Sequence, residues 1–461
     1  MLPLLTVLQA RAAEVAVSNV AALRDAVAAA VPGDVILLAP GVYTLDRTLA
    51  LARAGTADAP ITLRGGEGVV VESATIEAIK VSAPHWHVED LSMRGVCADD
   101  ATCEHALHIV GAADGTWVRG CTLVDFNAQI KGNGEDVGGA RVWPDDVWIV
   151  GNDLHDTRGR RTSNPVTKID VVGGQRWRVE ANRIADFHKD GGDTISYAAF
   201  LKGHSYDGVF ARNLVVCSEF HTGGVRVGLS LGGGGTSDAT FCEGGTCTPE
   251  HERGVLANNL IARCDDVGIY LNKAAETRVL ANTLYATAGI DVRFETSDAE
   301  VDGNVLDGRI RERDGGRATL GTNLAEADLD ALFQAPADLD FTLVDGGPLL
   351  DRATPHDGVR DDYCGVIRGA APDLGALEYA TATPCDTTRT HPPAHGGDTG
   401  IADSGATDTG LDGASIGDGA GVLADEPGGC GCASGAARGT GSLSMLLGAL
   451  SLACRRWRAR R

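Results

Sequence analysis

The chain has 461 residues and carries 63 Asp and Glu against 40 Lys and Arg, a formal net charge of −23. That imbalance excludes nucleic acid as a partner, because phosphate contacts need Lys and Arg in surplus. It also makes an anionic polymer a demanding ligand, one to be held only where basic side chains or a bound cation gather; clustered Asp and Glu oxygens would suit Ca2+.

The opening, MLPLLTVLQARA, offers a short apolar run and an Ala10-Arg11-Ala12 processing site but no basic start. Residues 1–12 therefore read as an export leader whose start is truncated or misassigned. From Ser18 a helix is expected over Asn19 to Val31, with Val20, Leu23, Val27 and Val31 on one face and Pro32-Gly33 as its stop. Such a helix would cap the open end of a stacked structure.

Beyond the helix the chain repeats. A small residue, then Asn and an apolar pair, recurs at Asn152, Asn182, Asn213, Asn259, Asn282 and Asn304, with Cys121 and Asp90 in the same place earlier. From Asp90 on, the steps are 31, 31, 30, 31, 46, 23 and 22 residues. A period of this size marks a solenoid, each repeat burying its apolar face against its neighbours. Within the repeats, Val225 to Leu231, Gly289 to Glu295 and Lys168 to Val171 alternate apolar and non-apolar residues. Period two means strand, and about three such runs per repeat are separated by Gly, Asn or Asp suited to left-handed corners. The fold class expected is all-β: a right-handed parallel β-helix over residues 13–385, its Asn side chains hydrogen-bonding up the stack at one corner.

The segment SNVAALRDAVAAAVPGDVILLAPGVYTL with GTADAPITLRG (Gly55 to Gly65), and the stretch DDYCGVIRGAAPDLGALEY (Asp361 to Tyr379), carry a resemblance. The first two are similar to the opening module of secreted β-helix proteins, among them chondroitinase B-type and alginate lyases. The last resembles their closing strand. The same coil hosts lyases, hydrolases, epimerases and inert surface proteins, so the resemblance speaks first to fold.

Twelve Cys favour an oxidising compartment. Cys97/Cys103 and Cys242/Cys247 each close a short loop, Cys217 and Cys264 are candidates to pair across neighbouring rungs, and Cys364/Cys385 would pin the last rung; connectivity stays open. A metal knuckle at Cys242/Cys247 lacks a second pair of thiols. The Gly232 to Gly235 run lacks the Lys-Ser/Thr and helix of a phosphate cradle, and reads as a wide turn leading into the Cys242/Cys247 loop.

Stacked strands align their outward residues into columns. His108, Lys168, Asp170, Lys202, Arg226, Ser230, Tyr270, Asn272, Asp291, Arg293 and Glu295 would then line a long shallow groove matching an extended extracellular polysaccharide. Uronate β-elimination needs a base for the C5 proton and a cation beside the carboxyl; Lys or Arg as base and Ca2+ as neutraliser are what the lyase resemblance implies. Lys202 is the candidate base and Arg226 or His221 the acid and substrate clamp. Asp190, Asp193 and Glu219 are candidate metal ligands, and Lys168, Asp170, Tyr270, Asn272, Arg293 and Glu295 candidate substrate contacts. Two other readings share the groove: a non-catalytic glycan- or partner-binding surface protein, and a glycoside hydrolase using Asp170 with Asp193.

Residues 386–429 are rich in Asp, Thr, Gly and Ala and too poor in large apolar residues to bury a core, as in a disordered linker. Beyond lie Gly429-Cys430-Gly431-Cys432, an apolar stretch from Leu443 to Cys454, and a terminal Arg cluster. This order resembles the C-terminal sorting tags of myxobacterial surface proteins, which implies that 430–461 is a processing and membrane tag with Cys430 or Cys432 modified. The expectation is an exported, cell-surface or secreted monomer.

Overall fold

A computed structural model describes residues 12–379 and Thr387. The expected leader, Cys385, the linker and the tag with Cys430 and Cys432 lie outside the described residues.

The chain coils into three long sheets, of 12, 10 and 10 strands, all paired in parallel. One rung shows the plan. Trp148–Val150 lies in the first sheet, Asp153–His155 in the third, and Val166–Val172 in the second; Arg178–Glu180 then begins the next rung beside Trp148–Val150. Period-two alternation sends one set of side chains into the coil. In the first sheet, Val118, Ile149, Val179, Phe210, Leu256, Val279 and Val301 stack in register, each fully buried. In the third, Leu123, Leu154, Ile184, Val215, Ile261, Leu284 and Leu306 do the same. Each such side chain contributes about 1.5–3 kcal/mol of burial, so every rung stabilises its neighbours.

Between these two sheets runs the Asn ladder. Each Asn Nδ2 donates to the Oδ1 of the next, from Asn152 to Asn182 at 2.9 Å, through Asn213, Asn259 and Asn282, to Asn304. It also donates to the carbonyl of the buried strand residue one rung back, Val118 for Asn152 and Ile149 for Asn182. Asn323 adds one further step beyond those read from the sequence. Two details differ from expectation. The left-handed residue is not the Asn but the one before it: Gly151 (φ 65°), Ala181 (53°), Arg212 (54°), Asn258 (55°), Ala281 (52°) and Gly303 (74°). Accordingly Asp90, at φ 53°, holds that left-handed position, and Leu91 stands in the Asn place, its carbonyl accepting from Thr122 as those of Cys121 and Asn152 accept from Asp153 and Arg183.

The cap helix spans Val20–Ala29, with Asn19 Oδ1 accepting from the Ala22 N–H and Leu23 and Val27 buried on the first strands. It stops short of Val31 because both Val31 and Ala13 donate their N–H to the Asp34 carboxylate, drawing the chain into the next strand, Val35–Leu38.

The C-terminal part departs from the expected closing strand. Residues 361–379 hold only an isolated bridge between Asp361 and Ile367. Together with residues 329–350 this segment lies on the outside of the third sheet, where Leu329, Phe333, Phe341, Tyr363, Leu374 and Leu377 cover the outward faces of Leu214, Val216, Leu260 and Ala262. Val359 does the same for Val209, Val255 and Leu280 of the first sheet. The physical reason is that these middle strands are apolar on both faces and demand a second layer.

Disulfides join Cys97 to Cys103, Cys217 to Cys264 and Cys242 to Cys247. Cys364 is disulfide-bonded as well.

Candidate functional site

The strands with the clearest alternation, Val225–Leu231 and Gly289–Arg293, fall in the second sheet. Loops leading into this sheet (97–104, 156–165, 187–194 and 217–224) border one edge. A hairpin of Glu135–Val137 with Ala140–Val142 and the excursion 232–250 border the other. The sheet between them forms the floor of a groove.

One outward file runs in strict register along this floor: Lys80, His108, Lys131, Asp170, Phe200, Ser230, Tyr270, Asp291, Arg311. Its first stretch is an alternation of charges. Lys80 Nζ lies 2.5 Å from Glu135 and Lys131 Nζ 2.7 Å from Asp170. His108, between the two lysines, has Nδ1 2.6 Å from Glu77 Oε2 and Nε2 2.7 Å from Asn133 Oδ1. Asn133 Nδ2 donates to the Gly134 carbonyl, which turns its oxygen toward the imidazole. Both ring nitrogens therefore face oxygen atoms of neighbouring side chains. The His108 hydrogen bond in turn lowers the Glu77 carboxyl below its usual range despite partial burial.

Past Asp170 the floor is crossed. The turn Gly232–Gly235 lies over it: the Gly233 N–H donates to Ser230 Oγ, Asn272 Nδ2 to the Gly233 carbonyl, and Lys202 Nζ to the Gly235 carbonyl. Phe200 is consequently 4% exposed and Ser230 not at all. Beyond the turn the floor reopens at Tyr270, Arg293, Arg311 and Arg313.

Several site expectations change. Lys168 does not face a substrate; it is fully buried beneath the 156–165 loop, with Nζ 2.6 Å from Asp156 and 2.7 Å from the Phe126 carbonyl. Burial pulls its amine down and pushes the Asp156 carboxyl up. Arg226 is likewise fully buried and staples the 217–223 loop through the carbonyls of Cys217, His221 and Gly223, so it is no exposed clamp. His221 belongs to that loop, its backbone held by Asp186 and Arg226. Lys202 stacks 4.7 Å over Phe200 against the crossing turn. Asp170 is in the file, Asn272 is tied to the turn, and Arg293 contacts Tyr270 Oη at 3.3 Å and pairs with Asp314. Glu295 stands exposed just past that strand, against Gly315.

The metal expectation lacks a ligand set. Asp190 pairs with His188 at 3.0 Å, Asp193 with Lys189 and Glu219 with Arg183. Among the described residues no three His, Cys, Asp or Glu gather to hold an ion. Of the carboxylates read as a hydrolase pair, Asp170 is paired with Lys131 and Asp193 with Lys189. Sequence reasoning missed Glu77, Lys80, Lys131, Asn133, Glu135, Arg311 and Arg313. The signal was present as apolar-Lys pairs, Ile79-Lys80 and Ile130-Lys131, but in rungs without the Asn mark.

No protein-family model and no curated protein matches the chain. Among solved structures it is similar to a pectate lyase, with a TM-score of 0.51 and 13% identity over 77% of this chain and 90% of that one. A rhamnogalacturonan lyase (13% identity, TM-score 0.45, covering 79% and 91%) and an alginate lyase from a Paenibacillus species (14%, 0.40, 68% and 95%) fit less well. At such identities what is shared is the fold, a pectin-lyase-like parallel β-helix.

Proposed function

We propose that this chain is an exported, lyase-like protein that holds an acidic polysaccharide on the second sheet and cleaves it by β-elimination. The observation that carries the reading is the file Lys80, His108, Lys131: three partly exposed basic side chains in register on successive rungs, in a chain of net charge −23. A uronate C5 proton can be removed only if the charge growing on the adjacent carboxyl is offset. The His108 ring, steadied by Glu77 and Asn133, and the Lys80 ammonium supply that offset. Lys131 takes the C5 proton, its own having passed to the Asp170 carboxylate 2.7 Å from Nζ. The electron pair forms the C4–C5 double bond, the C4–O4 bond breaks, and the departing oxygen takes a proton from the Lys131 ammonium. Lys131 replaces Lys202 as base because the Gly232–Gly235 turn covers Lys202, whereas Lys131 stands in the file next to His108.

Export to the cell surface is part of the proposal, supported by the disulfides at Cys97–Cys103, Cys217–Cys264 and Cys242–Cys247. A second reading, glycan binding without turnover, draws support from the pairing of both lysines with carboxylates.

Incubating the protein with polygalacturonate, alginate and glycosaminoglycans, with and without calcium, decides between them. Elimination produces ultraviolet absorbance from unsaturated ends, and Lys131→Ala lowers that rate by about a hundredfold or more. Retention of polymer without new absorbance supports the binder, and an undiminished rate in Lys131→Ala removes Lys131 as base.

A further inference from the structure

The crossing turn leaves the groove with two open stretches, and the second has its own chemistry. Strand Arg309–Arg313 is the last of the second sheet. Arg311 Nε and Arg313 Nη1 each lie 2.5 Å from the two oxygens of one carboxylate, Asp291, which is 1% exposed. Two guanidiniums thus share a single negative charge. Their side chains are 37% and 42% exposed, and among the described residues their other N–H groups have no protein acceptor. Arg293, in register with Arg313 one rung back, points its guanidinium to Tyr270 Oη and pairs with Asp314. Lys273 stands at the rim, 5.8 Å over the Phe294 ring.

We infer that Arg293, Arg311, Arg313 and Tyr270 form a carboxylate-binding subsite for a uronate unit, separate from the Lys80–His108–Lys131 stretch. Lys273, Arg293, Arg311 and Arg313 stand against Asp291, Asp314 and Glu295, a surplus of one positive charge in a protein whose overall charge would repel the ligand. Guanidinium N–H pairs match a carboxylate in two-point fashion. Rungs repeat at about 4.8 Å, so neighbouring Arg311 and Arg293 levels can meet successive units of an extended chain. The subsite lies four to six rungs from Lys131, about 19–29 Å along the axis, so a ligand that touches both stretches is a polymer. The inference rests on the acidic-polysaccharide reading but not on catalysis. The competing explanation, charges that merely protect a sheet edge, predicts no ligand.

Retention of the full chain in gels containing polygalacturonate, or an uncharged polymer such as dextran, tests it. Arg311→Ala with Arg313→Ala is expected to weaken polygalacturonate retention about tenfold. Arg309→Ala, on the same strand but 71% exposed and paired with Glu326, leaves retention unchanged, and dextran retards neither. Circular dichroism melting checks that the variants fold. Retention within twofold of the parent in the double variant, or an equal loss in Arg309→Ala, overturns the subsite. Retention that depends on Arg311 and Arg313, with no unsaturated product from the parent protein, upholds it while sinking the elimination reading.

Discussion

At Asn213 a single amide makes four hydrogen bonds. Its Oδ1 accepts from the backbone N–H and Nδ2 of Asn182, and its Nδ2 donates to the Val179 carbonyl and Asn259 Oδ1. The side chain is fully buried, so water cannot replace any of them. Asn213→Ala should cost about 3–5 kcal/mol, the sum of several stranded polar groups. A urea midpoint close to that of the parent would show the ladder to be ornamental. The left-handed residue before each Asn explains why Gly, Ala, Arg and Asn all occur there. The conformation is imposed by the corner, and non-glycine residues bear a strain of about 1–2 kcal/mol that the ladder offsets.

Loops over the second sheet are held by buried charge. Asp100 receives both Arg158 Nη1 and Nη2, at 2.6 and 2.7 Å, and the Arg161 N–H at 2.8 Å. It thereby ties the 97–104 loop to the 156–165 loop two rungs on. Burial alone would raise this carboxyl, but the Arg158 and Arg161 bonds and the Arg160 charge outweigh it and hold it at about 2. A depressed carboxyl contributes stability above its unfolded value, about 4, and loses it as pH falls through its folded value. The advantage of the parent over Asp100→Asn in urea midpoint should therefore be full above about pH 4 and close toward pH 2. A gap constant across that window would contradict the tie. The same loops explain the buried Lys168 and Arg226. Alternation assigns a face to each residue, but a lead-in loop folded over the edge decides whether that face meets solvent.

For the molecule as a whole, the coil is completed from outside. Leu377 is 4% exposed and belongs to the layer over the third sheet. Leu377→Asp should undock residues 361–379, cost about 3 kcal/mol or more, and raise binding of a hydrophobic dye; unchanged dye binding would deny that layer a sealing role. The apolar runs around Asn213 and Asn259 were legible as strands, yet nothing in them said which segment would cover their second face. The cap helix was legible because capping residue, spacing and stop agree. Cys97–Cys103 and Cys242–Cys247 were legible as candidates because each pair closes a short loop, and Cys217–Cys264 because its residues fall on neighbouring rungs.

The site was less legible than the fold. Asp170, Tyr270 and Arg293 were read from alternation, whereas Lys80 and Lys131 gain meaning only beside His108, across 28 and 23 residues of chain. The sequence by itself determined the coil, since a fixed period and two-residue alternation are local properties that each rung repeats. Tertiary structure alone decided which outward side chains are open, which are roofed by loops, and where the Gly232–Gly235 turn crosses the floor. Those outcomes depend on contacts between residues far apart in the chain, and no local pattern records them.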